Sequence, residues 1–88
     1  FQTLLTTEEM RIERIVSRGN ASPAEGWYDQ AHGEFVALLT GGARLEFDDG
    51  SEKTLKAGDW LVIPPHRRHR VAWTDPDTDS VWLTVHYP

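Results

Sequence analysis

Six residues separate Glu34 from Gly41, five separate Gly58 from Pro64, and four separate Pro64 from His69. A carboxylate and an imidazole brought together by a fold can exchange protons near neutral pH, or can share a divalent transition metal, for which both are good donors. His66-Arg67-Arg68-His69-Arg70 adds a local basic cluster, and arginine forks bind carboxylate or phosphate through paired hydrogen bonds. His32 and His86 are the remaining histidines; each alone reads as a surface or hydrogen-bonded residue, and the direction of His86 is not legible.

Short strands must position these groups. Turn signals recur at Gly19-Asn20, Pro23-Ala-Glu-Gly26, Gly41-Gly42, Asp48-Asp49-Gly50, Ala57-Gly58-Asp59, Pro64-Pro65 and Asp75-Pro76-Asp77, the punctuation of an all-β sandwich or barrel. The segments between them predict strands at about 10–17, 34–40, 43–47, 51–55, 60–64, 69–73 and 80–87, with a weaker one at 26–30. Ala43-Arg44-Leu45-Glu46-Phe47 alternates, so one face is wet. Trp60-Leu-Val-Ile63 is apolar on both faces and is expected to be buried twice, once in the barrel and once under a neighbouring strand or subunit. Thr6-Thr7-Glu8-Glu9 has the residues to cap one helical turn.

The two spacings resemble the two motifs of the cupin superfamily, over roughly residues 10–87 and most specifically over 26–73. The resemblance implies a jelly-roll β-barrel. In that family the first motif, G-x5-H-x-H-x3,4-E-x6-G, supplies two histidines and a glutamate, and the second, G-x5-P-x-G-x2-H-x3-N, supplies a further histidine. Iron, manganese, nickel, zinc or copper is then held with positions open for substrate. Glu34 and Gly41 match the end of the first motif, and Gly58, Pro64 and His69 match the second. The histidine pair is replaced, by Tyr28 and Gln30 in one register or by Trp27 and Asp29 in the other. The first is preferred because Ala31 then falls where the family often has proline. His66 stands at the second motif's glycine and Trp73 at its asparagine.

The resemblance implies Glu34 and His69 as metal donors, with Gln30 the preferred third and Tyr28, Asp29, His32 and His66 the alternatives; Tyr28, His66 and Arg68 are expected at the pocket, Arg68 as part of the basic cluster at its rim. Two functions follow. One is a divalent-metal cupin acting on a small organic molecule, with oxygenase- or isomerase-like chemistry; the other is a metal-free, non-catalytic binding or sensing cupin. A metal-free acid–base reaction using His69 with Tyr28 or Glu34 is a further route.

Composition narrows the field. A length of 88 residues fits one small domain whose boundaries are the ends of the chain, and so modest a core favours a homodimer. A net charge of −5 argues against nucleic acid as partner. The absence of cysteine excludes thiol nucleophiles, disulfides and iron–sulfur clusters and fits a cytoplasmic setting. No apolar run approaches the roughly twenty residues of a membrane helix. Phe1 at the first position points to a native start that lies upstream. No serine elbow, phosphate-binding glycine loop or zinc-protease helix is present.

Overall fold

The computed structural model describes residues 2–22 and 26–88, so the turn expected at 23–26 lies largely outside the described residues. Eight strands follow in order: β1 (Gln2–Thr6), β2 (Arg11–Ser17), β3 (Gly33–Thr40), β4 (Gly42–Phe47), β5 (Glu52–Lys56), β6 (Trp60–Ile63), β7 (His69–Thr74) and β8 (Ser80–Tyr87). They form a five-stranded sheet, β1-β2-β8-β3-β6, facing a three-stranded one, β5-β4-β7, with antiparallel pairing throughout. The seven expected strands are present with small shifts of their ends.

Three expectations change. The weak strand at 26–30 reduces to a single bridge, in which Tyr28 and His69 exchange backbone hydrogen bonds of 2.8 and 3.2 Å. The residues after Thr6 form a bend, not a helical turn: Thr7 Oγ1 accepts the Glu9 and Met10 amides, and the chain then enters β2. This threonine cap is equally compatible with a turn, and strand pairing on both sides decides for the turn. Residues 2–6, with no sequence signal, form a fully exposed edge strand on β2.

The core lies between the sheets and consists of Val36, Leu38, Ala43, Leu45, Leu55, Ile63 and Trp82, with Ile15, Leu61 and Val71 packed against it. As the alternation requires, Ala43, Leu45 and Phe47 are buried. Gly41 joins β3 to β4 at a φ of +86°, and a Cβ there would stand 2.6 Å from Ser80 Cα, so the first motif's glycine is required by conformation and by space.

In β6 only Ile63 is buried, while Trp60 and Val62 are 61 and 49 % exposed. The second burial expected for this strand is therefore not supplied within the chain, because β6 is the edge of its sheet and its outer side has no facing layer. That outer side continues across the sheet: Ile12, Val85, Phe35 and Val62 are successive partners on β2, β8, β3 and β6. Trp60 stacks on Phe35 at 5.7 Å between ring centroids.

Candidate functional site

The inner side of the large sheet inverts the usual pattern, because polar residues point inward. Arg11, His86, Glu34 and Ile63 are successive cross-strand partners on β2, β8, β3 and β6, and Glu13 and Thr84 form part of the next row. With Tyr28, Gln30 and His69 on the opposite side, they line a cavity of about 600 Å³. Ile15, Val36, Leu45, Val71 and Trp82 make its walls apolar. A polar cluster on one side of an apolar cavity is the usual form of a small-molecule site.

Glu34 is the centre of the cluster. Its Oε1 is 3.7 Å from His69 Nε2 and its Oε2 is 3.3 Å from His86 Nε2. His86 Nε2 also lies 2.9 Å from Glu13 Oε1, and Arg11 Nε is 3.2 Å from the same oxygen. On its other ring nitrogen, His86 Nδ1 is 2.9 Å from His32 Nε2. His69 Nδ1 is 2.8 Å from the Arg67 carbonyl oxygen, which can only accept. The proton of neutral His69 is thus on Nδ1, leaving the Nε2 lone pair directed at Glu34 and the cavity.

Electrostatics follow from this burial. Glu34 is pushed up to about 7, first by burial and then by the negative charge of Glu13, against a smaller opposing effect of Arg11. Burial lowers His69, with the bond to Arg67 working the other way. Burial also lowers His86, with Arg11 second and Glu13 opposing. The Glu34–His69 contact at neutral pH therefore joins a neutral imidazole to a carboxyl group near its own midpoint, and is not a fixed ion pair.

The expected residues divide. Tyr28, Gln30, Glu34 and His69 all line the cavity. His66 and Arg68 do not: they meet Asp29 outside it, at 2.9 Å from His66 Nδ1 and 3.4 Å from Arg68 Nε. The His66 hydrogen bond is the main reason that Asp29 is lowered. His66 takes a φ of +62°, consistent with its place at the motif's glycine, and that backbone turns its ring outward. Arg67 and Arg70 are likewise engaged, with Asp49 at 3.1 Å and Glu46 at 3.1 Å. Apart from His69, the basic cluster is a set of ion pairs beside the site.

The titratable cavity residues Arg11, Glu13 and His86 escape sequence reasoning. Their signal was present in the strand alternation, since Glu13 shares a face with Ile15, and His86 with Trp82. Charged residues are ordinarily assigned outward, and here the outward face is the more apolar one.

Among the described residues no group of three or more His, Asp or Glu is arranged to hold a metal ion. A metal on Glu34 and His69 would draw its third donor from Gln30 or Tyr28, which line the same cavity.

The family model for the cupin domain matches residues 15–86. A Ralstonia eutropha JMP134 structure, provisionally named a mannose-6-phosphate isomerase, is 45% identical with a TM-score of 0.95, covering 99% of this chain and 82% of that one. An RmlC-like cupin from Shewanella frigidimarina NCIMB 400 has 24% identity and a TM-score of 0.81, over 99% of this chain and 73% of that one. The DMSP lyase DddQ from Ruegeria pomeroyi DSS-3 has 16% identity and a TM-score of 0.76, over 93% of this chain and 40% of that one. The latter two likenesses concern the fold. A comparison with curated proteins gave no match. No helix is long and apolar enough to cross a membrane among the described residues. With both motif ends in register, two antiparallel sheets around a cavity and a family match over most of its length, the chain belongs to the cupin family.

Proposed function

We propose that the cavity takes a small anionic organic molecule and that Glu34 exchanges a proton with it in an isomerase-type reaction. The observation that carries this reading is the Glu34 carboxyl group, held between His69 and His86 on a 600 Å³ cavity and poised at about 7. A general base or acid works best when its pKa lies near the working pH. Among the described residues Arg11 is the one lysine or arginine lining the cavity; its Nε pairs with Glu13, and the remaining N–H groups of the guanidinium can donate to an anionic group of the substrate. The 45% identical Ralstonia protein named for a sugar-phosphate isomerase supports the same class.

Interconversion of an aldose and a ketose moves one proton between neighbouring carbons and one between their oxygens. Ionised Glu34 accepts the proton from the carbon beside the carbonyl and returns it to the neighbouring carbon. His69 Nε2, unprotonated and directed inward, accepts the hydroxyl proton and delivers it to the former carbonyl oxygen. The electron pair of the broken C–H bond passes through an enediolate, so no oxidant or reductant is consumed.

The experiment is incubation with mannose 6-phosphate or fructose 6-phosphate in deuterated water, followed by proton NMR. Deuterium at the carbon beside the carbonyl, slowed at least about a hundredfold by Glu34→Gln, is expected. A folded wild type that exchanges neither sugar phosphate contradicts the reaction and leaves the binding or sensing role.

A metal-dependent reading is supported by one feature, the hydrogen bond to the Arg67 carbonyl that frees His69 Nε2, the arrangement common in metal-ligating histidines. Glu34, His69 and Gln30 would be the donors. A divalent ion bound there would polarise a substrate carbonyl. Elemental analysis of protein purified without chelator or affinity-tag metal separates the two readings: near-stoichiometric metal lost in both Glu34→Ala and His69→Ala supports the metal, and wild type that stays metal-free when supplied with each ion contradicts it.

A homodimer is part of the proposal. A second copy seated on the Ile12, Val85, Phe35 and Val62 row would cover the apolar outer face and give β6 its second burial.

A further inference from the structure

Thr84 sits in the middle of β8 between Trp82 and His86, facing the cavity, with Glu13 of β2 and Val36 of β3 as its cross-strand partners. The residue is buried, and its Oγ1 has no hydrogen-bond partner among the described residues. A hydroxyl offers one donor and two acceptor positions, and a buried one left unpaired destabilises the fold. The fold itself gains nothing from it. Valine has the same branched shape, the same preference for a strand and no polar atom. The other unpaired atom of this kind, Arg44 Nε, is outside the cavity and lies 3.8 Å from Glu52.

We propose that Thr84 Oγ1 is a ligand-recognition group that bonds an oxygen of the molecule held against Glu34, so that the cavity selects an extended, polyhydroxylated substrate. The proposal rests on the reading of the cavity given above and names its specificity. A change of χ1 between staggered positions reorients Oγ1 toward a bound molecule without moving the strand. Thr84 is two residues from His86, the direct partner of Glu34, so the two contact points are separated by roughly 7 Å along the strand. An open-chain sugar phosphate spans that distance with its carbonyl at Glu34 and a further hydroxyl at Thr84. 2-Phosphoglycolate has no hydroxyl to place there.

The test compares wild type, Thr84→Val and Thr84→Ser by thermal unfolding without ligand and by calorimetric titration with mannose 6-phosphate and 2-phosphoglycolate. Thr84→Val is expected to unfold several degrees higher than wild type, because the unpaired hydroxyl is gone. It is expected to bind mannose 6-phosphate about tenfold more weakly, with Thr84→Ser retaining most of the affinity and 2-phosphoglycolate binding equally to all three. A lower unfolding temperature for Thr84→Val would show the hydroxyl already engaged in the free protein and would overturn the proposal. Equal affinity of wild type and Thr84→Val for mannose 6-phosphate would also overturn it, as would a wild type that binds only 2-phosphoglycolate, and in both cases the cavity reading survives. A wild type that binds neither probe removes the cavity reading and the role of Thr84 with it.

Discussion

His86 faces Glu34 directly across the β3–β8 pairing, with its Nε2 3.3 Å from Glu34 Oε2. The contact ties the motif glutamate to a histidine near the end of the chain, and through it to Glu13 at 2.9 Å. Two buried carboxyl groups thus share one imidazole. Burial first, and then the negative charge of Glu13, push the Glu34 carboxyl up to about 7.

The raised Glu34 gives stability a pH dependence of definite sign. Folded protein binds this proton up to about 7 while the unfolded chain releases it near the ordinary glutamate value of 4.5, so stability falls as pH rises between those values. The loss approaches about 3 kcal/mol above pH 7. His69 and His86 act oppositely: both are lowered from 6.5, so their contribution is complete above 6.5 and is lost as pH falls through their folded values. Chemical denaturation of Glu34→Gln at pH 5 and pH 8 checks this. The variant is expected to resemble wild type at the lower pH and to exceed its stability at the higher.

Glu13 contributes to the elevation by its charge. Glu13→Gln keeps an oxygen that accepts from His86 but removes that charge. The Glu34 midpoint, followed by carbon NMR of its carboxyl, is expected to move down toward the ordinary glutamate range. An unmoved midpoint would assign the whole elevation to burial.

His66 occupies left-handed backbone at a φ of +62°, and its contact with Asp29 is mostly exposed. A left-handed conformation costs a non-glycine residue roughly 1–2 kcal/mol, and glycine gives back part of that gain through unfolded-state entropy. His66→Gly is therefore expected within about 1 kcal/mol of wild type, with His66→Ala less stable than His66→Gly. Mannose 6-phosphate affinity should be unchanged in both, since His66 does not line the cavity.

The apolar outer face gives a prediction about assembly. Trp60→Glu with Val62→Glu places charge on a face where the wild-type residues are 61 and 49 % exposed. Light scattering at micromolar concentration is expected to show a wild-type dimer and a monomeric double variant. A monomeric wild type would contradict the covering by a second copy.

Most of the fold was legible because turn residues and β-branched runs alternate at short intervals, and the motif spacings placed Glu34 and His69 on one cavity. Less legible was everything that depends on which side of the large sheet is wet. In β8 the alternation of Val81, Leu83 and Val85 with Trp82, Thr84 and His86 puts the more apolar set outside and the polar set on the cavity. A reader who buries the apolar set sends His86 the wrong way, and the same habit sends Glu13 to solvent. β1 was not legible because all five of its residues are exposed and its pairing is backbone alone. His66 and Arg68 were expected at the pocket with the basic cluster, but both side chains meet Asp29 outside the cavity.

The central claim is that Glu34 exchanges protons near neutrality inside a ligand cavity, and its most direct test is the titration of the Glu34 side-chain carboxyl by carbon NMR in metal-free protein. A midpoint at about 7 that shifts when mannose 6-phosphate is added is expected. A midpoint at or below 4.5, unaffected by the sugar phosphate, would contradict it.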